Sequence, residues 1–292
     1  MTVTRFPGPL AGLVLACGLA ACATTEGPAG ATASAASIPI EIQRPDGPGP
    51  FPAVVLLHDC SGLGPRSGGA PRRWARELLQ QGYVVALPDS FGPRGFPNGV
   101  CTDPSPSRAD VAPFRRVRDA YAALDRLRTL PYVDGDRVGV MGGSHGGSST
   151  LATIALVPQD DAALRERKRH GFAAAIAFYP GCAIGRPAFS NEFHGAAPLL
   201  ILTGDLDDWT PAAPCAKLVE AAKRAGEDVA IKVYPGAHHA FDSATPMRYV
   251  ETRINGNAPG GRGATTGGNP AAWADSKEQV KAFFAARLKR AP

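Results

Sequence analysis

The chain has 292 residues, of which 44% are hydrophobic and 20% charged, and it carries a formal net charge of +5. That is enough chain for one sizeable core, and α/β folds of this length are often single domains. The basic excess is mild and has no long Lys/Arg run, which argues against a nucleic-acid partner; the densest cluster, residues 165–170, reads as a solvated helix end.

Arg5 followed by the apolar stretch 10–21 reads as a signal peptide over residues 1–21, too short to cross a membrane as a helix. Leu19-Ala20-Ala21-Cys22 matches the bacterial lipoprotein box, in which the cysteine is lipid-modified and becomes the mature N-terminus. An ordinary signal peptide cleaved nearby is the alternative. Ala23 stands where an inner-membrane lipoprotein often carries Asp, so the expected address is the periplasmic face of the outer membrane. Residues 22–37, rich in Ala, Thr, Ser and Gly, read as a flexible tether, and residues 38–292 as the folded domain.

Alternation predicts a strand at 38–42, and continuous apolar runs predict strands at 53–58 and 83–88, as in the interior of a parallel sheet. A helix is expected over 71–81, stopped by Gly82. A long Pro/Gly loop runs to about Pro113, and a helix over 114–130 places Ala, Leu and Val on one face and Arg on the other. Strands follow at 137–141, 173–179, 199–203 and 229–234, with helices at 148–157, 212–225 and 271–288. Strands alternating with helices mean a mostly parallel sheet covered on both faces. The glycine-rich stretch 255–270 reads as a surface loop that could form part of the rim of a site.

Gly142-Gly143-Ser144-His145-Gly146 follows the apolar strand 137–141 and fits the G-x-S-x-G nucleophile elbow. Such a turn forces strained backbone angles and brings strand and helix so close that Cβ atoms on the flanking glycines would clash. Downstream, Gly204-Asp205-Leu206-Asp207-Asp208 and Ala237-His238-His239 each lie just past a strand, where open α/β sheets place their sites. Serine, then acid, then histidine is the α/β-hydrolase order. Asp205 and Asp208 compete with Asp207 for the acid, either of them being equally suited to an Asx turn. His58 and Asp59 read as structural, and Trp209 lies close enough to line a pocket. Cys60, Cys101, Cys182 and Cys215 are an even number in an exported chain, so disulfides are expected, and three pairings are open. Their spacing does not suggest zinc.

Residues 38–288 resemble the dienelactone hydrolase family of the α/β-hydrolase superfamily. The resemblance rests on Leu56-Leu57-His58-Asp59-Cys60-Ser61-Gly62-Leu63, Pro88-Asp89-Ser90-Phe91-Gly92-Pro93-Arg94-Gly95, the elbow, Gly204-x-x-Asp207 and Tyr234-Pro235-Gly236-Ala237-His238-His239-Ala240-Phe241. It implies an α/β-hydrolase fold without a separate cap domain, Asp207 as acid and His239 as base, and backbone oxyanion donors at Cys60 and His145. Two positions depart from the pattern. Ser144 stands where the type enzyme has cysteine, and Ser243 where the family has a carboxylate-binding arginine. Arg94 matches the family's other such arginine with a one-residue shift, making it a pocket candidate beside Trp209. In the α/β-hydrolase sheet order the strands ending near His58 and Pro88 are neighbours, as are those ending near Tyr179 and Thr203. All four cysteines lie beyond those carboxyl ends, so the expected disulfides are Cys60–Cys101 and Cys182–Cys215. The expected activity is hydrolysis of a carboxylic ester or lactone through an acyl-enzyme, with no metal or organic cofactor. A non-catalytic binding lipoprotein and a peptidase are the alternatives.

Overall fold

The structure, a computed structural model, describes residues 38–157, 160–182 and 193–289. The expected signal peptide, the tether and Cys22 lie outside the described residues. Seven strands form the main sheet: β1 (Ile40–Gln43), β2 (Phe51–Leu57), β3 (Val84–Pro88), β4 (Val133–Gly143), β5 (Ala174–Phe178), β6 (Leu199–Gly204) and β7 (Val229–Tyr234). Their spatial order is β1-β3-β2-β4-β5-β6-β7; β1 runs antiparallel to β3, and every other neighbouring pair is parallel.

The helices are α1 (Ala70–Gln80), α2 (Val117–Arg128), α3 (His145–Ile154), α4 (Ala162–Arg169), α5 (Ala212–Arg224) and α6 (Pro270–Leu288). The period-two geometry of a strand splits the core between the two sheet faces. Ala53, Val55 and Leu57 of β2 pack with Leu124, Leu151 and Leu218 from α2, α3 and α5. The intervening Val54 and Leu56 pack with Trp74 and Leu78 of α1 and Phe284 of α6. Local signals set the ends: Gly82 adopts φ 82° just past α1, and the Asn269 side chain accepts the Ala272 N–H at the start of α6, with Pro270 following.

Three expectations need correction. Residues 255–270 are not a plain loop. They complete a two-stranded antiparallel hairpin of β8 (Arg248–Ile254) and β9 (Arg262–Thr266), standing apart from the main sheet. The helix expected from Phe114 begins as a 3₁₀ turn, Pro113–Arg116, and Arg116 is fully buried rather than solvated. In the cluster at 165–170, Lys168 is buried, its ammonium donating to Asp160 and to the Ala155 carbonyl.

Candidate active site

β4 ends in the elbow. Ser144 has φ 54° and ψ −117°, a region that costs a non-glycine residue about 1–3 kcal/mol and persists only where the surroundings impose it. Here they do: the Ser144 N–H donates to the Phe178 carbonyl of β5, and α3 starts at the next residue. Gly146 is required by close approach, since a Cβ there would lie 2.1 Å from the Leu57 carbonyl oxygen. Gly204 plays the same part at the end of β6, where a Cβ would lie 2.0 Å from the Ala237 carbonyl oxygen, so the acid loop and the histidine loop can touch.

Three sequence-predicted residues converge. His239 Nε2 lies 2.8 Å from Ser144 Oγ, and His239 Nδ1 lies 2.9 Å from Asp207 Oδ2. All three are buried, with 8%, 2% and 4% exposure for Ser144, His239 and Asp207. Burial pushes the Asp207 carboxyl upward, but the His239 imidazole and hydrogen bonds from His239 and Thr210 outweigh it and leave the group below its ordinary value. An ionised carboxylate can only accept, so Nδ1 carries the imidazole proton and Nε2 is free to accept from the serine hydroxyl. Asp207 Oδ1 is held in turn by the N–H groups of Trp209 and Thr210, at 2.9 and 2.8 Å.

The neighbouring carboxylates are committed elsewhere. Asp205 accepts the Gly236 N–H, and Asp208 accepts the Thr265 N–H and hydroxyl. Thr210 is the residue that the sequence reading missed: its Oγ1 lies 2.9 Å from Asp207 Oδ2 and 2.9 Å from His239 Nδ1. The Asp207-x-x-Thr210 spacing, an Asx-type signature, was the available signal.

Ser144 opens on a cleft of about 530 Å³ lined by Cys60, Arg108, Ala112, His145, Trp209 and Ile254 among others. Trp209 lines it; its ring lies 4.7 Å from that of His239 and its indole N–H donates to the Ile254 carbonyl. Arg94 does not. Its guanidinium is engaged by both Asp119 oxygens at 2.7 Å and by the Ser90 carbonyl, away from the cleft, whereas Arg108 lines it. Cys60 and His145 both face the cleft.

The cysteines form the disulfides Cys60–Cys101 and Cys182–Cys215. Cys215 sits in the first turn of α5, inside the helix expected over 212–225. His58 is structural: Nδ1 donates to the Asp59 carbonyl and Nε2 accepts the Ser90 N–H. Burial first, and then the charge of Arg116, hold its pKa well down, so it stays neutral.

The hairpin ties these parts together. The Ile254 N–H donates to the Cys101 carbonyl, Asn255 donates to the Asp208 carbonyl, and the Gly267 N–H donates to the His239 carbonyl. Among the described residues no cluster of His, Cys, Asp or Glu could hold a metal ion.

A family model described as "Dienelactone hydrolase family" matches residues 39–288. A Yersinia pestis protein named "Putative carboxymethylenebutenolidase" is 26% identical over 233 residues, covering 75% of this chain and 80% of that protein. Dipeptidyl-peptidase 5 of Porphyromonas gingivalis is 37% identical over 78 residues; the match takes in 26% of this chain and spans only 11% of the peptidase. Esterase 2 of Thermogutta terrifontis, solved phosphorylated by paraoxon, superposes with a TM-score of 0.56 at 20% identity, covering 85% of this chain and 88% of that one. At that identity the likeness is one of fold.

Proposed function

The chain belongs to the dienelactone hydrolase family, and from that premise we propose that it is a serine hydrolase that cleaves a carboxylic ester or lactone through an acyl-enzyme. The observation that carries this reading is the continuous relay from Ser144 Oγ to His239 Nε2 and from His239 Nδ1 to Asp207 Oδ2.

Ser144 Oγ attacks the carbonyl carbon as its proton passes to His239 Nε2, and the C=O π electrons move onto the oxygen. Asp207 stays ionised and supports the imidazolium. The oxyanion is met by the backbone N–H groups of His145 and Cys60. Collapse expels the alkoxide, which takes the proton from His239. Water, deprotonated by the same nitrogen, then attacks the acyl group and frees Ser144. No step calls for a metal or an organic cofactor.

Family membership and the match along most of a carboxymethylenebutenolidase-like protein favour ester or lactone substrates over peptides, since the peptidase relative is matched over one short segment. Two disulfides suit an oxidising compartment, and with the box ending at Cys22 they support export and lipid anchoring at the periplasmic face of a bacterial membrane.

The test is turnover of p-nitrophenyl acetate together with labelling by paraoxon. Ser144→Ala should lose roughly 10⁴–10⁶ in kcat and all labelling, with its Tm unchanged. A variant within about tenfold of the parent would overturn the assignment. A folded parent that neither turns over esters nor takes the label would favour a binding role.

A further inference from the structure

Arg116 has no exposed surface, and among the described residues no carboxylate forms an ion pair with it. Asp119, the nearest candidate along the chain, gives both oxygens to Arg94. Nε and Nη2 of Arg116 have no protein hydrogen-bond partner, and the guanidinium stacks 5.1 Å from the Phe91 ring centroid. A buried cation left so poorly paired is costly to the fold, so its place there calls for a reason.

Its one bonded nitrogen supplies that reason. Nη1 donates to the His58 carbonyl at 2.9 Å and to His145 Nδ1 at 2.9 Å. The first acceptor is at the end of β2, two residues before Cys60; the second is on the residue that follows the nucleophile. One guanidinium nitrogen thus joins the two chain segments whose backbone N–H groups would form the oxyanion hole.

Because arginine has only donors, His145 Nδ1 must accept, and the imidazole cannot take up a proton there. Burial, then the charges of Arg116 and Arg108, keep His145 neutral. His58 is neutral too, so neither imidazole adds a charge beside the guanidinium. Burial lowers the Arg116 pKa to about 10, opposed by the carboxylates of Asp119 and Asp59, which leaves it charged at neutral pH. A fixed positive charge in a dry site is worth more to a developing anion than to a neutral ester.

We propose that Arg116 is the positioning residue of the oxyanion hole: it clamps the Cys60 segment to His145 and sets a fixed positive charge behind the two backbone donors. This rests on the serine-hydrolase reading above. Such a clamp acts in the transition state and hardly in the ground state, so its loss should fall on kcat.

Four proteins decide it: the parent, Arg116→Met, Arg116→Lys and His145→Leu, each with its Tm measured. A single nitrogen makes both bonds, so a lysine ammonium can replace it where methionine cannot. Arg116→Met should lose ~10–100-fold in kcat with KM within about threefold, and the Ki of phenylboronic acid, whose serine adduct carries a tetrahedral oxygen, should rise by the same factor. Arg116→Lys should recover most of the loss. His145→Leu, which keeps the guanidinium but removes one acceptor, should show the same split at smaller size and carries the test if Arg116→Met does not fold. An Arg116→Met enzyme with unchanged kcat, or one whose kcat falls while boronate binding holds, overturns the proposal. So does a His145→Leu enzyme that matches the parent. A parent that neither hydrolyses the ester nor is labelled at Ser144 instead overturns the hydrolase reading itself.

Discussion

Asp207→Asn is the substitution whose effect can be worked through most fully. The carboxylate accepts four contacts: Trp209 and Thr210 N–H on Oδ1, and His239 Nδ1 with the Thr210 hydroxyl on Oδ2. In the amide, the oxygen stays where two backbone N–H groups point, which puts the NH₂ against His239. Two donors then face each other. The imidazole relieves this by moving its proton to Nε2, the atom that must accept from Ser144, and loss of the wrong-tautomer kind typically costs about 10⁴ in kcat, or about 5.4 kcal/mol. Asp208→Asn exchanges exposed bonds to Thr265 for weaker ones, worth about 1 kcal/mol, or roughly fivefold if all of it reached the transition state. Steady-state hydrolysis of p-nitrophenyl acetate by the two variants, with Asp205→Asn as a third, gives the comparison. A larger loss at Asp208 or Asp205 than at Asp207, or an Asp207→Asn enzyme within about tenfold of the parent, would refute the reasoning.

The same carboxylate gives a pH signature. Its pKa lies below the ordinary 3.8, so its contribution to stability is present above that value and fades as pH falls through the depressed one; acid melts of parent and Asp207→Asn protein should converge at low pH and diverge above it. The Cys60–Cys101 bridge closes a separation of 41 residues, so its loss should cost about 4 kcal/mol on a chain-entropy estimate. Reduction or Cys101→Ser should also lower kcat more than it raises KM if, as proposed above, Cys60 supplies a backbone oxyanion donor; weaker substrate binding at unchanged kcat would break that link. Finally, Cys22→Ser should release into the soluble fraction a protein that otherwise sediments with membranes, and mass spectrometry of the mature N-terminus should find lipid on Cys22 in the parent.

The buried strands were legible because their composition admits little else. Runs such as Val54-Val55-Leu56-Leu57 between turn residues have no solvent face, and β2 proves buried on both sides. The positions of the three candidate site residues were legible because each follows a strand: Ser144 and Asp207 follow buried runs, while His239 follows β7, an edge strand in which only Val229 and Tyr234 are buried. The hairpin was not. In β8, Arg248, Tyr249, Glu251 and Thr252 are exposed, so neither face supplies an apolar alternation, and β9 is short and begins Arg262-Gly263. Its bonds to distant loops leave no local pattern. Arg116 was hidden in the opposite way. Within Arg115-Arg116-Val117-Arg118 it looks like one more residue of a wet face, and only the 3₁₀ turn at Pro113 rotates it inward. Arg94 misled because a motif register says nothing about Asp119, 25 positions on, which engages its guanidinium.

The hairpin also bears on how a cleft of this kind can change its selectivity. It contributes Ile254 and Gly256 to the wall of the cleft, yet it is a single uninterrupted stretch of chain leaving and rejoining the fold between the histidine loop and α6. A stretch of that sort can be exchanged as a cassette, reshaping the wall without disturbing a strand of the main sheet. Its bonds limit what can be exchanged. A replacement that lacks a donor for Asp208 would leave that carboxylate unclaimed beside Asp207, and one without the Gly267 N–H would loosen the backbone of His239. Transplanted hairpins should therefore succeed or fail by what stands at 255, 265 and 267, whatever side chains they turn toward the substrate.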